Sequence, residues 1–375
     1  MSIPFNKPWL PELCYTHGLL ADGWESGRIS NFGPLARQLE EKVEDLTGRA
    51  ARSCSSCDTA LTLAIAALEI PVGSVVLLPS YSFASTLNAV LWNGLQPHFC
   101  DIERDSWNLS AAACIAKTHL HPKLVIATHA LGAPAEPSRL EHWTKNIGAK
   151  LLFDAASALG GTYQGDRPVG SAGDAECFSL SPTKPLTACE GGMATFREEA
   201  VAERFRTLCN YGVPLSGPRA GRPTLRGLNG KLSEAHAAVA LAGWGCLPDL
   251  LAERQDIAVD YLDRISGSGL CSQVARGNTT WKDFAVLLPS EQARAAAIGR
   301  LTAAGIGWKT YYEPLHRSEA LRDSSLAPFE HPADLGWWQL PVTEDICSRV
   351  LCLPIWNGLG SAAVAEVCSA LLGES

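Results

Sequence analysis

Residues 150–196 read KLLFDAASALGGTYQGDRPVGSAGDAECFSLSPTKPLTACEGGMATF, and the short apolar runs in this stretch decide the fold class. The runs are 151–153, 177–180 and 193–196, with Asp154 at the end of the first. They have the length of strands rather than helices, and all their residues but Ser179 and Thr195 are apolar. A strand solvated on one face alternates apolar and polar residues; an unbroken apolar run marks one covered on both faces. Upstream, 75–78 (closed by Pro79) and 124–127 have the same character. Between the runs lie helical patterns. Leu35, Leu39, Val43 and Leu46 repeat at helical spacing over 34–47, and Ser55-Ser56 supply an N-cap for 59–68. Strands alternating with helices predict an α/β domain built on a mostly parallel sheet.

Downstream, 210–230 (NYGVPLSGPRAGRPTLRGLNG) is a Gly/Pro/Arg-rich loop, and 233–244 is helical in pattern. A long helical pattern then runs from Pro248 through Ile265. Strands are expected at 284–288 and 308–312, and a last helix at 362–372. The chain of 375 residues suits about two domains at roughly 150 residues each. The boundary is placed within 245–250: a large α/β domain at 1–247, with an N-terminal arm, and a smaller α+β domain at 248–375.

Composition removes several functions. Hydrophobic residues make up 46% and charged residues 19%, enough for a large core. The net charge of −8, with no long Lys/Arg run, disfavours nucleic acid and anionic membranes as partners. The longest apolar stretch, 59–79, is broken by Glu69, Pro71 and Gly73 and makes no ordinary membrane helix. The start, MSIPFNKPWLPEL, is not patterned as a signal peptide. Thirteen dispersed cysteines, an odd number, suggest reduced thiols and a cytoplasmic location. Cys54 and Cys57 have C-x-x-C spacing, without the second pair or the histidines of a zinc site, so no metal is expected. The spacing is read as the start of a helix, with a thioredoxin-like redox pair as the alternative.

Ligands of open α/β sheets bind at the carboxyl ends of the strands. Three candidate groups fall there. Ser56-Cys57-Asp58-Thr59 opens a helix whose free amides can cradle a phosphate, or is a plain N-cap. No P-loop pattern accompanies it. Asp154 ends a strand, or caps the segment after it. Lys184, in CFSLSPTKPLTACEGG, lies between apolar segments, where its amine would titrate low and form a Schiff base, or it reaches solvent. Together they meet the needs of pyridoxal phosphate: a lysine for the aldehyde, a carboxylate for the ring nitrogen and an anion cradle for the phosphate.

The chain also resembles the DegT/DnrJ/EryC1/StrS sugar aminotransferases, pyridoxal-phosphate enzymes of the aspartate aminotransferase fold (fold type I). The segments IPFNKP, SGRISNFGP, SCSSCDTALTLAIAAL, LPSYSFASTLNAVLWNG, HALGAPAE, FDAASALGGTYQG, CFSLSPTKPLTACEGG, LNGKLSEAHAAVALAGW and YYEPLH follow in the family's order. The resemblance implies that Lys184 is the Schiff-base lysine and proton carrier, and that Asp154 pairs with the ring nitrogen. It implies that Ser179 and the backbone at Cys57 and Asp58 hold the phosphate, and that Phe83 stacks on the ring. Asn229 would reach the cofactor of a neighbouring subunit, making a homodimer with shared sites. Tyr312 and His316 would face the substrate. Ser157 departs from the Gln or His usual at a ring-contacting position, Asp58 from a Thr, and Lys231 from an Arg.

The implied reaction moves an amino group from an amino acid, glutamate by resemblance, to a nucleotide-linked 4-keto-6-deoxyhexose. An aminocyclitol or another small ketone is an alternative acceptor. The dehydratase branch carries histidine in place of the lysine, so Lys184 favours transamination. A regulatory protein on the same fold is the non-enzymatic alternative. Arg219, Arg222 and Arg226 either face a nucleotide diphosphate or form a solvated basic loop.

Overall fold

The computed structural model describes residues 2–25, 27–322 and 339–373. Seven short strands form the main sheet: β1 (Ala50–Cys54), β2 (Val75–Pro79), β3 (Gln96–Cys100), β4 (Leu124–Thr128), β5 (Lys150–Asp154), β6 (Ala175–Ser179) and β7 (Gly192–Phe196). Their order is β1-β7-β6-β5-β4-β2-β3, and only β7 runs antiparallel to its neighbours. The unbroken apolar runs have the expected consequence. Leu77, Val125, Leu151 and Phe153 enter one hydrophobic cluster, while Val76, Leu78, Ile126 and Leu152 enter another on the opposite face. Each such buried side chain contributes about 1.5–3 kcal/mol against exposure.

Helices α1 (Leu13–Glu25) and α2 (Pro34–Thr47) precede the sheet. Five more, α3 (Cys57–Ala67), α4 (Ala84–Trp92), α5 (Ala111–Ala116), α6 (Ser138–Ile147) and α7 (Glu199–Cys209), accompany its strands. α2 and α8 (Glu234–Trp244) bury their apolar sides in the first cluster; α3, α4 and α7 bury theirs in the second. The rest of the chain forms α9 (Leu247–Ile265), β8 (Cys271–Ser272), β9 (Phe284–Leu287), α10 (Glu291–Ala303), α11 (Pro341–Arg349), β10 (Val350–Leu353) and α12 (Ser361–Leu372). The three strands make an antiparallel sheet in the order β10-β9-β8. Tyr261 of α9 stacks on Phe284 of β9 in its core, and Ile3 from the start of the chain joins the same cluster. Among the described residues no single helix is long and apolar enough to cross a membrane.

Two strands of the main sheet escape the sequence patterns, as do β8 and β10 of the smaller sheet. β1 contains Arg52 and Ser53, polar residues held by carboxylates of other elements. Arg52 pairs with Glu44, Glu199 and Glu203, and Glu40 accepts from both the amide and the hydroxyl of Ser53. β3 contains Pro97, which an edge strand tolerates because one side of it needs no ladder bonds. The strand expected at 308–312 does not form. Only Lys309 bridges to Cys352, and the Tyr311 carbonyl accepts from the Tyr81 hydroxyl at 2.8 Å instead of from a ladder. That bond turns the segment toward the carboxyl ends of the main sheet.

One capping contact crosses 199 residues of chain. α2 starts after Gly33 and has no side-chain cap of its own. Glu234, buried at the start of α8, accepts from the amides of Leu35 (2.7 Å) and Ala36 (3.0 Å). A Cβ at Gly33 would lie 2.5 Å from the Glu234 carboxyl carbon, so the approach requires glycine. Glu234→Ala should lower unfolding stability by about 1–3 kcal/mol, because it strands two buried amides. Glu234→Gln should recover part of the loss in a urea titration. Equal stability of all three proteins would refute the cap.

Candidate active site

The chemistry gathers at the carboxyl ends of β4, β5 and β6. β5 ends in Asp154, whose carboxylate is 3% exposed. Burial pushes its pKa up. The Thr86 hydroxyl of α4 donates to one of its oxygens at 2.5 Å, the Ala156 amide to the other at 3.2 Å, and Lys184 and His129 also favour its charged form. Thr86 is itself held by Ser82 (2.7 Å), and Ser82 by Thr128 at the end of β4 (2.9 Å). The neighbouring imidazole of His129 is buried. Its Nδ1 accepts from the Ala135 amide at 3.0 Å, which leaves Nε2 to face the Tyr163 hydroxyl at 2.9 Å.

The N-terminus of α3 forms the second part. Ser56 caps it by accepting from the Thr59 amide at 3.1 Å. The amides of Cys57 and Asp58, in the first turn, have no carbonyl within the helix to bond. Ser179, the last residue of β6, brings a hydroxyl to the same place. β7 passes close beneath: a Cβ on Gly192 would lie 2.3 Å from the Ser56 carbonyl oxygen, so only glycine fits. Asp58 is exposed on the rim, while the Cys57 thiol is buried and its pKa raised by desolvation. Cys54 points elsewhere, donating to the Ser56 carbonyl.

Lys184 stands on a loop closed by Leu180–Gly191 and Ala188–Leu180 backbone bonds. Its Nζ donates to the Ser157 hydroxyl at 3.2 Å. Burial lowers its pKa to about 8, the Lys282 ammonium pushes in the same direction, and Asp283, Cys57 and Asp154 oppose. Such an amine is substantially neutral at slightly alkaline pH and is a competent nucleophile.

These groups share a cavity of about 360 Å³, a size ordinary for a small-molecule site. Phe83, 59% exposed, stands on one side; Tyr311, Tyr312 and the Lys282–Asp283 pair stand on the other. Of the residues singled out in the sequence, Cys57, Asp58, Phe83, Asp154, Ser157, Ser179, Lys184 and Tyr312 therefore come together. Asn229 does not; it is exposed on the 210–230 loop, as are Arg219, Arg222 and Arg226. Nor does His316, whose ring is held between Ser80 (2.7 Å) and Glu344 (3.3 Å) beside the cavity rather than in it. Sequence reasoning missed Thr86, His129, Tyr311, Lys282 and Asp283. Only the last two left a signal: adjacent opposite charges inside the run Trp281-Lys282-Asp283-Phe284 that leads into β9.

The donor set fits pyridoxal phosphate. A buried carboxylate lacking a full complement of positive charge suits a protonated ring nitrogen, the open end of α3 suits a dianion, and the amine suits an aldehyde. An amine-reactive reagent applied over a pH series, read at Lys184 by mass spectrometry, should give a half-maximal rate near pH 8 in the cofactor-free protein. Reactivity that rises only above about pH 10, as for a solvated lysine, would contradict this placement.

The comparisons agree with the geometry. The chain aligns over its full length with the dTDP-4-amino-4,6-dideoxy-D-glucose transaminase of Escherichia coli, at 27% identity over 379 residues and 99% of that protein. The crystal structure of DesI in the presence of its TDP-sugar product superposes with a TM-score of 0.88 at 29% identity, covering 99% of this chain and 92% of that one. A putative PLP-dependent aminotransferase from Bacillus cereus shares the fold along the whole of both chains, with a TM-score of 0.88 at 24% identity. The profile of the DegT/DnrJ/EryC1/StrS aminotransferase family matches residues 18–372, and the chain belongs to that family of pyridoxal-phosphate-dependent aminotransferases.

Proposed function

We propose that the protein transfers an amino group from an amino acid, glutamate in the first instance, to a nucleotide-linked keto-deoxysugar. The observation that carries this reading is the meeting of Lys184, Asp154 and the α3 N-terminus in one cavity. Its chain belongs to the family above, and two of its relatives are a dTDP-sugar transaminase and a protein crystallised with a TDP-sugar product. Pyridoxal phosphate, when bound, supplies an aldehyde for amine exchange and a ring that accepts the electron pair left by a departing α-proton.

The residues have separate tasks. The amides of Cys57 and Asp58 and the Ser179 hydroxyl hold the phosphate. Asp154, whose charged form Thr86 and the Ala156 amide favour, would hold the proton on the ring nitrogen. Lys184 Nζ receives the proton released from the donor's α-carbon, a task that its lowered pKa suits near neutral pH. Ser157 gives that amine a resting partner, Phe83 covers one ring face, and Tyr312 bounds the substrate side. His316 acts from behind, tying Ser80 to α11 through Glu344.

The site is completed in a homodimer. Tyr211, Leu215, Leu225 and Leu228 are exposed on the loop that carries Asn229, an apolar surface suited to a second copy of this chain. In that assembly Asn229 reaches the partner's cofactor phosphate. We place the division between the large and the small domain at 247/248, where α9 begins, and the protein in the cytoplasm.

Glutamate alone should release close to one equivalent of 2-oxoglutarate per site and then stop until a keto-sugar nucleotide is added. Continuous turnover on glutamate alone, or none with a panel of such sugars, would overturn the reading. Lys184→Ala should abolish both halves of the reaction. Asp154→Asn should keep some cofactor but slow turnover roughly 10²–10³-fold, the usual range for loss of one preorganised electrostatic contact. A fully active monomer would remove Asn229 from the site.

A further inference from the structure

Lys282 and Asp283 form a buried ion pair in the wall of the active-site cavity. The two side chains are 7% and 3% exposed, and Nζ lies 2.7 and 2.8 Å from the two carboxylate oxygens. Burying an ion pair gains little over an apolar pair of the same size, because desolvation offsets the attraction. Buried pairs that persist for stability usually fasten two elements together. This one cannot, since its members are neighbours in sequence and stand on the same short segment before β9. Its polarity is therefore directed to the cavity that both residues border.

Resting on the sugar-nucleotide reading above, we propose that the Lys282–Asp283 pair recognises the sugar ring, taking a hydroxyl on the carbon next to the ketone. Three observations support this assignment. First, an ammonium has three N–H donors, and two are directed at Asp283; the third is free for a ligand oxygen. Each carboxylate oxygen likewise keeps a lone pair for a ligand O–H. One hydroxyl can donate to Asp283 and accept from Lys282 at once. Second, the pair is neutral as a unit. It offers no net attraction to a free carboxylate or phosphate, whereas a hydroxyl loses nothing by meeting both charges. Third, both members act on the Lys184 amine: Lys282 lowers its pKa and Asp283 raises it. The pair thus lies near the atom where the ketone reacts. Nζ of Lys282 is also 5.5 Å from the centre of the Tyr311 ring, so an apolar face adjoins the polar contact, as the mixed surface of a deoxysugar requires.

The test uses the holoenzyme and the double substitution Lys282→Met/Asp283→Leu, which removes the pair without leaving either charge unpaired. Two nucleotide-linked keto-sugars are compared, identical except for the hydroxyl beside the ketone. The wild type should favour the hydroxylated sugar roughly 10- to 100-fold in kcat/KM, the range for a hydrogen bond to a charged group. In the double variant that ratio should fall to about one. A wild type with no preference, or a variant in which both sugars lose equally, overturns the proposal. So does an unchanged ratio with a collapsed glutamate half-reaction, which would assign the pair to the donor's carboxylate. Should the wild type refuse every nucleotide-linked sugar but distinguish hydroxylated from deoxy cyclic ketones through this pair, the pair's role stands and the nucleotide-sugar reading falls.

Discussion

A carboxylate withdrawn from water at the end of a central strand sets the terms for the rest of the site. Asp154 is buried, and desolvation raises its carboxyl pKa above the ordinary value. Two hydrogen bonds, from Thr86 and from the Ala156 amide, oppose that shift, and a row of hydroxyls from Ser82 and Thr128 orients the first of these. The nearest ammonium, Lys184, is itself shifted toward neutrality by the same burial. The chain thus holds a negative charge and withholds a full positive one. In the proposed complex a ring nitrogen that carries a proton would complete the balance.

The two sheets supply different halves of this arrangement. Asp154, Ser179, Lys184 and the start of α3, the groups proposed to hold the cofactor within one chain, come from the seven-stranded sheet and the segments at its carboxyl edge. The opposite wall comes from 280–283 and 311–312, outside that sheet. The join is tight and depends on one glycine. Thr280 donates its hydroxyl to the Ser157 carbonyl at 2.5 Å and its amide to the Gly132 carbonyl, while the Asp283 amide donates to Leu131. Gly132 has φ of +100°, and a Cβ there would meet the Thr280 hydroxyl oxygen at 2.5 Å. The wall is thereby fixed against the same loop whose His129 lies beside Asp154, which keeps the substrate side in register with the cofactor side.

What the sequence made legible followed from local rules. Continuous apolar runs identified β2, β4, β5, β6 and β7, because a strand buried on both faces needs no other information. Ser56 marked the start of α3, because an N-cap acts within its own turn. β1 and β3 were illegible for the opposite reason. Their polar residues and their proline are tolerated only through partners remote in sequence or through an edge position, and neither is written locally. The 308–312 segment has strand-like composition, but a side chain 230 residues away takes its carbonyl. The site divides the same way. Asp154 and Lys184 were visible because each carries the required chemistry alone, whereas Thr86 and His129 gain meaning only from the carboxylate that folding brings to them.

Placement of charge also explains how one cavity can serve two unlike substrates. In the proposed reaction an amino-acid donor would bring a carboxylate and a sugar acceptor hydroxyls, and both would present a carbon to Lys184 Nζ. A single cation fixed in the wall would favour the donor and penalise the sugar. A cation already matched by its neighbour is different: it adds polarity and direction without net charge, so it can discriminate among hydroxyl patterns while leaving the anionic donor to other contacts. Within the cavity the acids and bases therefore fall into two classes. Asp154 and Lys184 are left incompletely matched, whereas Lys282 and Asp283 match each other.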